Sequence, residues 1–196
     1  PYMPHIVGTM TSYLDVTYYS GKIQMLGIRF RPAGITAFTQ IPLFELTDKT
    51  VELALTETLF EKSFYDRLPE FATMQERIFH MEKYLLSRLI NFFTPEQRIT
   101  FAVKYIRNGN GLIPVSQVAE KACLSERQIE RRFKNAIGVS PKMFSRIIRF
   151  KNTVDYVKTC PKDSFFSIAV DCGYFDHSHL IRDFKKFGGT LPSELL

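Results

Sequence analysis

What this 196-residue chain lacks narrows its function before any motif is read. No apolar run reaches the roughly 18 residues of a membrane helix, so no membrane partner is expected. No signal peptide opens the sequence. Cysteine occurs only at Cys123, Cys160 and Cys172, which match no metal-ligand spacing. An odd cysteine count fits a reducing cytosol better than secretion, so the expected location is cytoplasmic. Histidine is scarce, with four residues. Two of them, His177 and His179, lie two apart on an expected helix and so diverge, with no third ligand close in sequence. Neither a metal nor a cofactor is expected. No Ser-His-Asp or Cys-His arrangement, phosphate loop or obvious acid pair is present, so an enzyme reading finds no chemistry to rest on.

What is present is globular: 45% hydrophobic and 23% charged residues, at a length suited to two modest domains. The net charge of +6 is unevenly placed. Residues 1–95 carry 9 Lys and Arg against 10 Asp and Glu, whereas residues 96–196 carry 17 against 10. Such a basic half is either a solvated face or the electrostatic footprint of a nucleic-acid partner.

Within that half, Ser125 to Pro141 carries the strongest local signal. Ser125 and Gln128 form a capping-box pair. Ile129, Phe133 and Ile137 recur every four residues, which leaves Arg127, Glu130, Arg131 and Lys134 on the wet face. Gly138 stops the helix, and Ser140 with Pro141 opens the next, expected to run to about Lys158. Upstream, Val115 to Ala122 is a short helix and Cys123-Leu124 a tight turn, giving a helix-turn-helix pattern.

The pattern occurs twice. Val118-Ala119 and Leu124 return 50 residues later as Ile168-Ala169 and Tyr174. The offset then becomes 51: Ser125 returns as Asp176, Ile129 as Leu180, Arg131 as Arg182, Phe133-Lys134 as Phe184-Lys185, Gly138 as Gly189 and Pro141 as Pro192. Cys123 and Cys172 fall in the two turn regions and read as small buried fillers.

The stretch from Gly173 to Lys186, followed by Gly189-Thr190-Leu191-Pro192, resembles the signature of AraC/XylS-type transcriptional regulators, with Leu191 where the family usually carries a capping Ser or Thr. The resemblance covers residues 96–196. It implies two helix-turn-helix units, about 113–138 and 164–189, joined by one long helix in a DNA-binding domain spanning 94–196. It further implies double-stranded DNA as a partner, response to a small-molecule effector, and contact with RNA polymerase.

The first half reads differently. Tyr13 to Tyr19 and Ile23 to Phe30 are aromatic and β-branched runs expected as strands. Gly27 to Gly34 resembles the end of the sensory domain of some AraC-type regulators, in which a cupin-like barrel precedes two helices. The start at Pro1 then reads as a truncated chain without the first half of that barrel. The strand region offers only His5, too little for a cupin metalloenzyme. Residues 35–68 alternate short helical runs with turns, and Thr56 to Leu68 is expected to be helical. Phe71 to about Phe93 is a longer helix, with Phe71, Met74, Ile78, Met81, Leu85 and Leu89 on one stripe, widened by Phe79, Tyr84, Leu86 and Ile90. So wide an apolar surface is buried either within the chain or against a second subunit, making a homodimer through 71–93. Thr94, Pro95 and Gln97 start the next helix, with Ile99, Ala102, Val103 and Ile106 on its buried side. The expected fold is therefore mainly α with a small N-terminal β portion: a partial sensory and dimerisation domain over 1–93, then the tandem helix-turn-helix domain.

In such a domain the second helix of each unit, about 125–137 and 176–187 here, leads into the major groove with its N-terminal residues. Expected base readers are Arg127, Glu130 and Arg131 in one unit, and His177, Ser178 and Arg182 in the other. Arg can grip guanine through two hydrogen bonds, and Glu can accept from cytosine. Glu130 has the alternative of pairing with Arg127 or Lys134, and Ile181 can meet a thymine methyl. Lys134, Lys142, Arg146, Arg149, Lys185 and Lys186 are phosphate candidates or simple surface charges, and His179 supports the helix start or a phosphate. The expected function is sequence-specific transcription regulation through successive major grooves. The alternative is a small-molecule sensor or protein-interaction fragment whose DNA-binding half is silent.

Overall fold

A computed structural model describes residues 4–16, 25–53, 60–89, 96–160 and 164–195. Two short strands, β1 (His5–Val7) and β2 (Thr50–Glu52), pair antiparallel with Ile6 opposite Val51. Eight α-helices follow among the described residues: α1 (Lys62–Asp66), α2 (Met74–Leu89), α3 (Gln97–Asn108), α4 (Val115–Lys121), α5 (Glu126–Ile137), α6 (Pro141–Thr159), α7 (Phe165–Asp171) and α8 (His177–Asp183). The chain is mainly α with a small β ribbon, as its pattern predicts.

The N-terminal strand positions differ from expectation. Residues 13–16 and 25–30 form no strand, and the rest of the two expected runs lies outside the described residues. A strand exists only where a neighbour accepts its hydrogen bonds. Here the Tyr13 N–H instead donates to Lys186 O at 2.7 Å, and Ile28 and Phe30 spend their apolar surface against the cluster of Leu53, Phe60, Phe64 and Met81. The helix expected over 56–68 is reduced to α1 and a 3₁₀ turn at Leu68–Glu70, with residues 56–59 outside the described set.

Helix α2 starts at Met74 because Thr73 and Glu76 form a capping box: Glu76 N–H donates to Thr73 Oγ1 at 3.2 Å, and Thr73 N–H to Glu76 Oε2 at 3.0 Å. Its buried face is not the expected stripe. Met81 is buried, His80, Tyr84 and Leu85 are half-buried, and Ile78, Phe79, Leu86 and Leu89 are exposed. Aromatic stacking decides this rotation, since Phe64 lies 4.1 Å from the Tyr84 ring and 5.4 Å from His80.

The C-terminal half is two small cores sharing one rod. Ile99, Ala102, Val103 and Ile106 of α3 pack with Val118, Ile129, Phe133 and Phe144. Val157 of α6 packs with Ile168, Tyr174, Leu180 and Phe184. Helix α6 begins at Pro141, with Ser140 Oγ accepting from Met143 N–H at 3.1 Å, and its 19 residues make a rod of about 28 Å. Thr94, Pro95 and the expected linker 91–94 lie outside the described residues. The two halves touch directly. Thr9 Oγ1 donates to Ile137 O and Thr47 Oγ1 to Gly138 O, each at 2.6 Å. These hydroxyls satisfy carbonyls that the end of α5 leaves free.

Candidate nucleic-acid interface

The first reading helix is built by its cap. Ser125 Oγ accepts from Gln128 N–H at 3.3 Å, and Ser125 N–H donates to Gln128 Oε1 at 2.9 Å. Ile129, Phe133 and Ile137 anchor the inner face, and Gly138 ends the helix in the left-handed region at φ 94°. Arg127, Arg131 and Lys134 are exposed on the outer face, with Glu130 half-exposed. Ser125, Arg127, Gln128 and Arg131 line one shallow concavity. Among the described residues none of Arg127, Glu130, Arg131 or Lys134 has an ion-pair partner, so the internal pairing considered for Glu130 is not made.

The turn before it differs from expectation at Cys123. That residue is exposed, not a buried filler, and its φ is 53°. Cys123 N–H donates to Glu120 O and Leu124 N–H to Ala119 O, the closure that ends a helix through a left-handed residue. In the second unit Gly173 holds that place at φ 70°, with Tyr174 N–H on Ala169 O at 2.8 Å. Cys172 is half-buried in the position of Ala122, one step earlier.

The second reading helix is capped by Asp176, which accepts from His179 N–H at 2.6 Å. Ser178 and Arg182 are exposed, and Arg182 Nε donates to Ser178 O at 3.3 Å. His177 is half-buried near the Phe165 ring, at 6.1 Å. His179 lies edge-on to Tyr174 at 5.2 Å; burial, then the Arg149 charge, holds its imidazole below the usual range. After α8 the chain widens into a π-turn, Phe184–Gly188, that keeps Phe184 fully buried while Lys185 and Lys186 stay exposed.

Between α6 and α8 lies a polar core that sequence reasoning missed. Asp183 is fully buried. Arg146 donates to Asp183 Oδ1 at 2.6 Å, and Arg149 stands 3.8 Å from Oδ2. Arg149 also donates to Gly173 O at 3.3 Å and lies 4.6 Å over the Tyr174 ring. Burial, chiefly, pushes the Tyr174 hydroxyl up to about 12. Arg146 and Arg149, expected as phosphate ligands or surface charges, are thus held against Asp183, and Arg149 against Tyr174 as well. The first unit makes a matching contact: Arg98 donates to Cys123 O at 3.1 Å, as Arg149 does to Gly173 O. Arg132, the counterpart of Asp183, pairs with Glu96 at 2.5 Å. In each unit, then, charge ties the turn and the reading helix to an earlier segment: Glu96 and Arg98 at the start of α3 in the first, Arg146 and Arg149 of α6 in the second.

A family model described as a helix-turn-helix domain matches residues 118–196, and one described as a domain of unknown function (DUF6597) matches residues 2–52. An uncharacterized HTH-type transcriptional regulator of Haemophilus influenzae is 29% identical over 121 residues, which are 57% of this chain and 40% of that protein. The HTH-type transcriptional regulator MtrA of Neisseria gonorrhoeae is 29% identical over 80 residues, 41% of this chain and 26% of that protein. Residues 118–196 thus match a helix-turn-helix domain, and the curated relatives are named HTH-type transcriptional regulators. Crystal structures of an AraC-type regulator from Chromobacterium violaceum and a probable AraC family regulator from Rhodopseudomonas palustris overlay with TM-scores of 0.47. They are 21% and 23% identical, with 50% and 52% of this chain covered against 88% and 95% of those. The chain thus spans less than half the length of the curated relatives it matches.

Among the expected site residues, Arg127, Arg131, Lys134, Lys142, Ser178, Arg182, Lys185 and Lys186 are exposed, Glu130 and His177 are half-buried, Arg146 and Arg149 meet Asp183, and His179 lies against Tyr174.

Proposed function

We propose that the chain is a sequence-specific DNA-binding transcriptional regulator that inserts α5 and α8 into successive major grooves. The observation that carries this reading is the duplicated capped helix with an outward Arg, Arg131 in one and Arg182 in the other, on either side of one rod. Arg127, Glu130 and Arg131 read bases in one groove, and His177, Ser178 and Arg182 in the next. Lys134, Lys142, Lys185 and Lys186 meet phosphates. A rod of about 28 Å approaches the 34 Å between major grooves on one face, so modest DNA bending closes the difference. Response to an effector fits the hydroxyl contacts of Thr9 and Thr47 on the end of α5. Homodimerisation through α2 fits the exposed Ile78, Phe79, Leu86 and Leu89. Selection of binding sites from random duplex DNA tests the reading; enrichment of no sequence over competitor contradicts it and favours a sensor or protein-interaction role.

A further inference from the structure

The offset between the repeats changes from 50 to 51 at one residue, and that residue is Phe175. In the first unit Leu124 stands immediately before the cap Ser125 and is buried with Ile129, the fourth helical residue. This is the hydrophobic staple that fixes how a chain enters a helix. In the second unit Tyr174 takes the buried place of Leu124. Phe175 is then the extra residue between Tyr174 and the cap Asp176. A staple onto Leu180 is not made, because Leu180 is fully buried while Phe175 is 93% exposed. No other large apolar side chain among the described residues is as open.

An aromatic ring 93% exposed, with no ring partner among the described residues, stands at the leading end of α8, two residues before His177 and three before Ser178. We infer that Phe175 is a further specificity-determining residue, making an apolar contact with a thymine methyl at the edge of the second half-site. The inference rests on the DNA-reading role of α8 proposed above. Thymine is the base that offers the major groove a methyl group, and Phe is among the side chains suited to meet it. The residues that follow, Asp176, His177 and Ser178, are polar, so the ring offers one apolar contact beside hydrogen-bonding groups.

The test uses the full chain and its selected duplex, with each thymine of the second half-site replaced in turn by uracil. That change removes the methyl and keeps the hydrogen-bonding edge. The unaltered protein should lose about fourfold in affinity at one position, the value of one buried methyl-sized group. Phe175→Ala should bind the thymine and uracil duplexes equally, and Phe175→Leu should keep part of the difference. A second half-site without a uracil-sensitive thymine, or the same thymine-to-uracil ratio in Phe175→Ala, overturns the inference while leaving DNA reading intact, and would assign the exposed ring to a protein partner. Failure to select any duplex overturns the underlying reading as well.

Discussion

Removing the Asp183 carboxylate should loosen the second reading helix more than any surface change. Asp183 is fully buried, while the side chains of Arg146 and Arg149 retain 32% and 15% exposure. Breaking a buried ion pair typically costs about 3–5 kcal/mol, because the remaining charge is stranded. Here the stranded guanidiniums reach water in part, so Asp183→Ala should cost about 2–3 kcal/mol. For a chain of this size each kcal/mol lowers the melting temperature by about 2–4 °C, giving a drop of roughly 5–10 °C. Asp183→Asn, which keeps the shape and one acceptor, should lie between the two. A double-mutant cycle with Arg146→Ala, read by thermal melting, isolates the pair and should show a coupling of at least about 1 kcal/mol. Additive losses, or an Asp183→Ala protein melting within about 1 °C of the parent, would refute the assignment of Asp183 as the tie between α6 and α8.

Further outcomes follow from the same geometry. Arg131→Ala or Arg182→Ala should cost about 1–3 kcal/mol of binding and relax preference at one base pair, whereas Lys134→Ala should weaken all duplexes alike and reduce the salt slope by about 1; affinity panels at several salt concentrations separate the two. His179 is held below its ordinary value of 6.5, so the unfolded chain takes up the proton more readily than the folded one. Its contribution is therefore lost as pH falls below 6.5, and the melting difference between the parent and His179→Gln should narrow or invert on acidification; a pH-independent difference contradicts this. Cys123→Gly relieves a left-handed residue at φ 53° whose side chain is exposed, and should stabilise by about 0.5–1 kcal/mol in thermal melts.

What was legible in the sequence was local chemistry. Caps at Ser125, Ser140 and Asp176, the stop at Gly138 and the span of α6 are written in neighbouring residues, and the repeat doubled every such signal. What escaped depends on distant partners. Tyr13 reads as the start of a strand, yet its N–H meets Lys186 at the far end of the chain. Helix α2 is apolar on too many sides for periodicity to choose its buried face, and Phe64 makes the choice. Arg146 and Arg149 read as phosphate candidates or surface charges, and their pairing with Asp183, 37 residues after Arg146, is not written in their neighbours. Cys123 looks like a filler because its backbone conformation is invisible in composition.

The central claim is that one chain reads two successive grooves through unlike faces, and footprinting the full chain on its selected duplex tests it most directly. The account predicts two protected stretches about 10 base pairs apart on one face, without two-fold symmetry in the site, the second lost when α7 and α8 are deleted. A palindromic site occupied only by two chains, or a single protected groove unchanged by that deletion, would contradict it.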